Sequence, residues 1–186
     1  MTNLACKVAF LDRDGTINID SGYLYREEEW ELTPHASEGL CLLRDAGFRI
    51  AVVTNQSGIA AGTYGESDVH ILHAHMRREF AIARAHVDAI AFCPHSSEGD
   101  CSCRKPRIGM ADHVAVQLNQ PIDFEQSWTI GDKLSDVGFG WALGTKTAII
   151  RSRYWHNADL DVKPTLIVAS LFEAARKIVA IEEQNP

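Results

Sequence analysis

The sequence lacks any apolar run that approaches the roughly 20 residues needed to cross a bilayer. The segment Met1–Lys7 also lacks the successive basic, apolar and cleavage regions of a signal peptide. We therefore expect no membrane partner and a cytoplasmic location. The chain has 186 residues, of which 46% are hydrophobic and 23% are charged, and this predicts one domain over residues 1–186 with a substantial core.

Positive charge is scarce, since 18 lysines and arginines stand against 25 aspartates and glutamates, for a net charge of −7. A general nucleic-acid binder needs clustered basic residues, so this balance excludes that class. Arg104, Lys105 and Arg107 do lie close together, and such a local cluster suits a small anionic ligand. We expect a monomer that acts on a small molecule.

Cysteine is sparse, and its count of five is odd, which argues against a disulfide framework. Four soft metal ligands nevertheless lie in one short segment: Cys93, His95, Cys101 and Cys103. Three sulfurs and one imidazole complete a tetrahedral Zn²⁺ site with no open position, which predicts a structural ion. The zinc would fasten a loop and thereby fix Arg104 and Lys105. We interpret Cys6 and Cys41 as small hydrophobic residues.

Short apolar runs bounded by turn or polar residues predict five strands and a candidate sixth: Lys7–Asp12, Phe48–Thr54, Ala89–Cys93, Ser127–Gly131, Lys146–Ile150 and Leu166–Val168. Helical patterns separate these runs. Regular alternation of this kind predicts an α/β fold, a doubly wound, Rossmann-like parallel sheet with helices on both faces.

The helix signals are caps and apolar stripes. Thr33 and Pro34 are typical of the N-cap and first position of a helix that ends at Gly47. A longer helix is predicted from Ser67 or Asp68 to about His86. Its apolar stripe would be Ile71, Leu72, Met76 and Phe80. Further helices are predicted at Met110–Leu118, at Leu134–Leu143 and after the capping box Ser170–Glu173.

Acidic and polar side chains follow three of the predicted strands. Asp12 and Asp14 follow the first strand, Thr54 ends the second, and Asp132 and Lys133 follow the fourth. Open α/β sheets bind their ligands at this edge, and paired carboxylates there indicate phosphate chemistry. Two alternatives stay open, because an Asp-x-Asp-Gly-Thr run also forms solvated turns and a lysine also opens surface helices.

Taken in order, Asp12/Asp14, Thr54, Lys105 and Asp132 resemble the four motifs of the haloacid dehalogenase-like phosphohydrolases. The resemblance implies that Asp12 attacks phosphorus to form a phosphoaspartate, while Asp14 acts as general acid and then as general base. It also implies that Thr54 and Lys105 bind the phosphoryl oxygens. The predicted ligands of a catalytic Mg²⁺ are the Asp12 and Asp132 carboxylates and the Asp14 carbonyl. No stretch is long enough for a separate cap domain, which predicts an open pocket.

The Cys-x-His and Cys-x-Cys-Arg-Lys-Pro segments resemble one branch of this family, which contains heptose 1,7-bisphosphate phosphatases and histidinol-phosphate phosphatases. The short zinc loop is more similar to the histidinol members. Three other segments, Asp12–Tyr23, Thr54–Gly62 and Gly131–Asp136, are more similar to the heptose members, and we give them more weight. The implied reaction removes the C7 phosphate of D-glycero-D-manno-heptose 1,7-bisphosphate, in activated-heptose biosynthesis for lipopolysaccharide or another surface glycan.

The resemblance also assigns the site residues. The predicted catalytic residues are Asp12, Asp14, Thr54, Arg104 and Lys105. The predicted substrate-binding residues are Asp20, Ser21, Gly22, Tyr23, Thr54, Asn55, Gln56, Ser57, Arg104, Lys105 and Lys133. Arg104 would meet the remaining C1 phosphate, because a guanidinium binds phosphate oxygens in pairs. Lys133 would orient Asp132 or touch the substrate.

Other interpretations remain. Tyr23 is equally consistent with a loop aromatic on the surface, and we assign no function to His70, His73 or His75. A histidinol-phosphate phosphatase is the nearest rival enzyme, and it needs an acid that meets the substrate ammonium. A nucleic-acid end phosphatase shares the Asp-x-Asp-Gly-Thr start but conflicts with the net charge of −7. A non-catalytic, zinc-stapled binding protein is the alternative from a different class.

Overall fold

The sheet places the carboxyl ends of its two central strands beside a crevice. The computed structural model describes residues 4–156 and 163–184. Its strands are β1 (Val8–Leu11), β2 (Arg49–Asn55), β3 (Ala89–Cys93), β4 (Trp128–Gly131), β5 (Lys146–Ile150) and β6 (Leu166–Val168). All neighbours pair in parallel, in the order β3-β2-β1-β4-β5-β6. The strand order reverses between β1 and β4, the point at which such sheets bind ligands.

Helices connect these strands and confirm the predicted α/β alternation. They are α1 (Ala36–Asp45), α2 (Glu66–Ile82), α3 (Gly109–Leu118), α4 (Leu134–Leu143) and α5 (Leu171–Gln184), with a short 3₁₀ helix at Glu27–Glu29. None of these described helices is long and apolar enough to cross a membrane.

Apolar side chains cover both faces of the sheet, as the doubly wound prediction requires. In β1, Ala9 and Leu11 pack in a cluster with residues of α1, α2 and α5. The alternate residues Val8 and Phe10 pack on the opposite face with residues of α3 and α4. Burial on both sides explains why the central strands are continuously apolar.

Two of the differences between the predicted and the observed helix boundaries have a clear physical cause. The first helix begins at Ala36, because the Thr33 hydroxyl donates to the carbonyl oxygens of Thr16 and Ile17 instead of capping the helix. The second helix ends before His86, because Arg84 adopts a left-handed conformation (φ 58°) and the following amide bonds back into the last turn. A left-handed arginine carries no sequence signal comparable to the glycine that ends α1 at Gly47 (φ 89°).

The segments between strands are short, and this leaves the crevice uncovered by a second domain. Within the described residues, only the 3₁₀ helix and α1 lie between β1 and β2, and only α2 lies between β2 and β3. The described part of the chain therefore contains no separate cap domain, as predicted. The loops that follow β1, β2, β3 and β5 line the crevice instead.

Candidate active site

A cavity of about 310 Å³ opens at the carboxyl ends of the central strands. Most of the predicted catalytic and substrate-binding residues line it: Asp12, Asp14, Asp20, Gly22, Tyr23, Thr54, Asn55, Gln56, Ser57, Arg104, Lys105 and Lys133. Ser21 is exposed and does not line the cavity. Asp132 is buried beneath it, at the end of β4. The fold thus brings together residues that are far apart in the sequence.

Lys105 is the buried cation at the floor of the cavity. Its Nζ donates to Asp12 Oδ1 at 2.8 Å and to the Val53 carbonyl oxygen at 2.7 Å, and it lies 2.6 Å from Asp136 Oδ1. Only 4% of Lys105 is exposed. Two hydrogen bonds and the ion pair with Asp136 therefore hold the ammonium in one place against the Asp12 carboxylate.

Three buried carboxylates share this floor, and their oxygens lie within 4.8 Å of one another: Asp12, Asp132 and Asp136. Burial alone would raise the pKa of Asp12, but the nearby ammonium groups of Lys105 and Lys133 outweigh it and lower that pKa. Burial and the neighbouring carboxylates raise the pKa of Asp132 to about 7, against the opposing charge of Lys133. The two ammonium groups therefore do not balance three ionised carboxylates. Carboxylate oxygens are the hard ligands that Mg²⁺ prefers, so a bound Mg²⁺ would supply the missing positive charge.

Lys133 points into the site and not away from it, so the surface-lysine alternative is wrong. Its Nζ lies 3.0 Å from Asp132 Oδ1, 3.3 Å from Asp20 Oδ2 and 3.8 Å from Asp12 Oδ2. It also donates to the Asp14 carbonyl oxygen at 3.2 Å. These acids raise the pKa of Lys133 despite its burial.

Asp14 is oriented by hydrogen-bond donors on both of its carboxylate oxygens. Arg13 donates from Nε to Oδ1 at 3.0 Å and from Nη2 to Oδ2 at 2.9 Å. Asn18 Nδ2 donates to Oδ1 at 3.0 Å, and Gln56 Nε2 donates to Oδ2 at 2.9 Å. The same Gln56 amide also donates to Thr54 Oγ1 at 2.9 Å, which connects the ends of β1 and β2.

The last residue of β2, Asn55, and the residue after it, Gln56, have different hydrogen-bond partners. Asn55 exchanges two hydrogen bonds with the Lys105 main chain, at 3.0 and 3.2 Å. This pairing ties the end of β2 to the loop that carries Lys105. Gln56 receives a hydrogen bond of 2.7 Å from the Tyr64 hydroxyl. Their polar groups are therefore already engaged within the protein, although both residues line the cavity.

Gly15 allows the two strand ends to approach each other. Its φ of 85° is a conformation that side chains with a Cβ rarely adopt. A Cβ built on Gly15 would overlap the Asp132 carboxylate. Glycine at this position is therefore required both by the turn and by the buried acid beside it.

The predicted soft ligands converge at the end of β3 and in the loop that leads to Arg104, which lines the cavity. Atoms of Cys93, His95, Cys101 and Cys103 all lie within 4.8 Å of one another. Cys103 Sγ is 2.9 Å from Cys93 Sγ and 3.3 Å from His95 Nδ1. This donor set could hold a metal ion, and its chemistry fits zinc. Arg104 Nη1 donates to the His95 carbonyl oxygen at 2.9 Å, so the loop also holds this guanidinium at the cavity.

Several site residues were not predicted from the sequence. Asp136 lies four residues after Asp132, in the first turn of α4, and this spacing was the available signal. Tyr64 and Tyr154 line the cavity from loops that have no recognisable motif. The Tyr154 hydroxyl donates to Asp20 Oδ2 at 2.8 Å, which joins the loops after β5 and β1.

Comparisons with known proteins identify the family. A family model described as polynucleotide kinase 3 phosphatase matches residues 7–163. The D-glycero-beta-D-manno-heptose-1,7-bisphosphate 7-phosphatase of Haemophilus ducreyi is 35% identical over 178 residues, which cover 90% of this chain and 95% of that relative. The chain belongs to the haloacid dehalogenase-like phosphatases, within the polynucleotide kinase 3 phosphatase family. The predicted family is confirmed.

Two further proteins are similar to this phosphatase. The D-glycero-alpha-D-manno-heptose-1,7-bisphosphate 7-phosphatase of Photorhabdus laumondii is 39% identical over 145 residues, which cover 74% of this chain and 78% of that relative. The crystal structure of D,D-heptose 1,7-bisphosphate phosphatase from B. bronchiseptica, complexed with magnesium and phosphate, gives a TM-score of 0.82 at 28% identity. It covers 94% of the phosphatase and 99% of its own chain. The predicted fold class is confirmed.

Proposed function

We propose that this phosphatase hydrolyses a phosphate monoester through Asp12 and that its substrate is D-glycero-D-manno-heptose 1,7-bisphosphate, from which it removes the C7 phosphate. The observation that carries the reaction type is the cavity floor, where an ionised Asp12 is flanked by two ammonium groups and by Asp132. Relatives named heptose-1,7-bisphosphate 7-phosphatase support the substrate.

In the proposed reaction the Asp12 carboxylate attacks phosphorus and the phosphorus–oxygen bond to the sugar breaks. Asp14 donates a proton to the leaving oxygen and later accepts one from the water that hydrolyses the phosphoaspartate. Thr54 and Lys105 bind the phosphoryl oxygens as charge develops on them. Asp12, Asp132 and the Asp14 carbonyl would hold Mg²⁺, which when bound neutralises charge between the dianionic ester and the carboxylate.

The cations of the cavity favour a second phosphate on the substrate. Lys105 and Lys133 are both paired with carboxylates. Among the described residues that line the cavity, Arg104 is the cation without a carboxylate partner, and its guanidinium donates to the His95 carbonyl oxygen. We assign the C1 phosphate to this guanidinium, because fork-shaped donors match phosphate oxygens.

The state of Asp20 argues against histidinol phosphate, whose ammonium needs an acid. Asp20 Oδ1 already accepts from the Gly22 amide at 2.9 Å. Its Oδ2 accepts from Tyr154 and Lys133, at 2.8 and 3.3 Å. A carboxylate that already accepts three hydrogen bonds has little remaining capacity to bind a substrate ammonium, so the sugar bisphosphate remains the better candidate.

The test is phosphate release with Mg²⁺ from a panel of substrates. The panel contains both anomers of the heptose bisphosphate, histidinol phosphate and a 3′-phosphorylated oligonucleotide. The oligonucleotide is included because the chain belongs to the polynucleotide kinase 3 phosphatase family. We expect turnover of a heptose bisphosphate to exceed that of the other two by at least about tenfold. Preference for histidinol phosphate or the oligonucleotide would refute the substrate. Asp12→Asn with wild-type activity would refute the phosphoaspartate.

The remaining assignments belong to the same proposal. We assign Zn²⁺ to the Cys₃His cluster as a structural ion that holds the Arg104 loop. A monomer with a single domain over residues 1–186, acting in the cytoplasm, stays a prediction. Sedimentation at micromolar concentration checks the monomer.

A further inference from the structure

Arg13 lies between the two catalytic carboxylates in sequence and is completely buried. A guanidinium removed from water needs acceptors for its five N–H groups. Arg13 donates to four residues, one through its main-chain carbonyl oxygen (Leu24) and three through their side chains (Gln56, Asp14 and His73). The position of Arg13 is therefore fixed by the protein and not by solvent.

Arg13 in turn fixes the plane of the Asp14 carboxylate. The two bonds from Nε and Nη2, at 3.0 and 2.9 Å, are the paired geometry in which a guanidinium orients a carboxylate. A rotation of Arg13 about its long axis would therefore turn Asp14 with it. Proton transfer to a leaving oxygen needs the acid within hydrogen-bond reach, so this orientation bears on the reaction.

His73 holds the far side of Arg13. It lies on α2, outside every motif of the family, and is 5% exposed. Its Nε2 is 3.2 Å from Arg13 Nη1, and since a guanidinium only donates, Nε2 must be the acceptor of a neutral ring. Phe92 of β3 packs edge-on against the imidazole, with ring centroids 6.0 Å apart. The ring is thus held between β3 and Arg13.

We propose that His73 is a positioning residue for the reaction: through Arg13 it sets the orientation in which Asp14 protonates the leaving oxygen. The proposal rests on the proposed function, since it takes Asp14 as the general acid. His73 itself touches no reacting atom in this scheme. Its contribution should therefore depend on how much the leaving group needs a proton.

The experiment compares two leaving groups in wild type and two His73 variants. With a heptose bisphosphate the leaving group is the C7 alkoxide of the heptose monophosphate, which needs the acid, whereas the nitrophenolate of p-nitrophenyl phosphate departs without it. The measured quantity is kcat/KM, which reports events up to the first irreversible step. His73→Phe keeps a ring but removes the acceptor, while His73→Gln retains an acceptor. His70→Phe, on the exposed face of the same helix and also against Phe92, is the matched control.

We expect His73→Phe to lower kcat/KM for the heptose bisphosphate by about 100-fold, the scale of a misplaced catalytic group. On p-nitrophenyl phosphate the same variant should stay within about threefold of wild type, and His73→Gln should recover most of the loss on the sugar. The control should match wild type on both substrates. If His73→Phe does not fold, Arg13→Lys, which keeps the charge but loses the fork, should give the same pattern.

Equal losses on the two substrates would overturn the proposal, because they indicate a general structural defect. Unchanged activity of His73→Phe on the sugar would overturn it as well. If the wild-type enzyme does not hydrolyse heptose bisphosphates but hydrolyses another alkyl phosphate, only the proposed substrate is overturned. The role of His73 is then tested by comparing that alkyl phosphate with p-nitrophenyl phosphate.

Discussion

Replacing Lys105 by methionine should destabilise the protein strongly. The Lys105 ammonium contacts Asp12 and Asp136 at 2.8 and 2.6 Å, and all three side chains are almost fully buried. Methionine fills a similar volume but leaves two carboxylates without this cation. Removal of one partner from a buried ion pair costs about 3–5 kcal/mol of unfolding free energy. The same acids raise the pKa of Lys105 despite its burial, so the cation is present throughout the neutral range.

The compensating variant separates charge from packing. In Lys105→Met/Asp136→Asn one of the two stranded carboxylates is neutral, so the double variant should recover about 1–3 kcal/mol relative to the single one. Urea unfolding at neutral pH, in a buffer without added Mg²⁺, measures both values. A single variant within about 1 kcal/mol of wild type, or a double variant less stable than the single one, would refute the electrostatic account of this floor.

Three further predictions concern other parts of the site. Cys101→Ala should lose the bound zinc and most of the turnover; retention of both, by metal analysis and phosphate release, contradicts the stapled loop. Gly15→Ala should abolish activity and lower the free energy of unfolding by at least about 2 kcal/mol. Gly62→Ala also has a positive φ, of 71°, but has open space around its Cβ, so it should lower the free energy of unfolding by only about 1 kcal/mol. Burial first, and then Arg13, hold the pKa of His73 well below its ordinary value. His73 therefore binds a proton in the unfolded chain but not in the folded one. As the pH falls from about 7.5 to about 5.5, the unfolding free energy of wild type should decrease by up to about 1.4 kcal/mol more than that of His73→Gln, measured by urea unfolding.

The part of the site that could be predicted is the part that follows strand ends. Asp12, Thr54 and Asp132 end or follow strands that pair in one parallel sheet, so apolar runs and turn residues were enough to bring them to one edge. The soft ligands were predictable for a different reason. They lie at the end of β3 and in the loop directly after it, where sequence spacing nearly fixes spatial spacing.

The residues that were not predicted act through distant contacts. His73 lies in a segment with the pattern of an amphipathic helix. The predicted apolar stripe of this helix placed Ile71, and not His73, on the buried face. The structure leaves 52% of Ile71 exposed and buries His73 between the Arg13 guanidinium and Phe92. No periodicity in α2 encodes a partner that lies sixty residues earlier. Tyr154 escaped prediction for the same reason.

The hydrogen bonds of Gln56 connect the reacting groups with the wall that faces the substrate. Its amide N–H groups go to Asp14 and Thr54, and its carbonyl oxygen accepts from Tyr64. Tyr64 in turn packs edge-on against Tyr23, with ring centroids 6.2 Å apart. Because buried hydrogen-bond networks behave as a unit, a substrate that displaces Tyr23 also perturbs the donor of Gln56 and hence Asp14. Under the proposed function, recognition of the sugar and orientation of Asp14 are therefore coupled through one amide, and the catalytic effect of Tyr64→Phe should depend on the size of the leaving group.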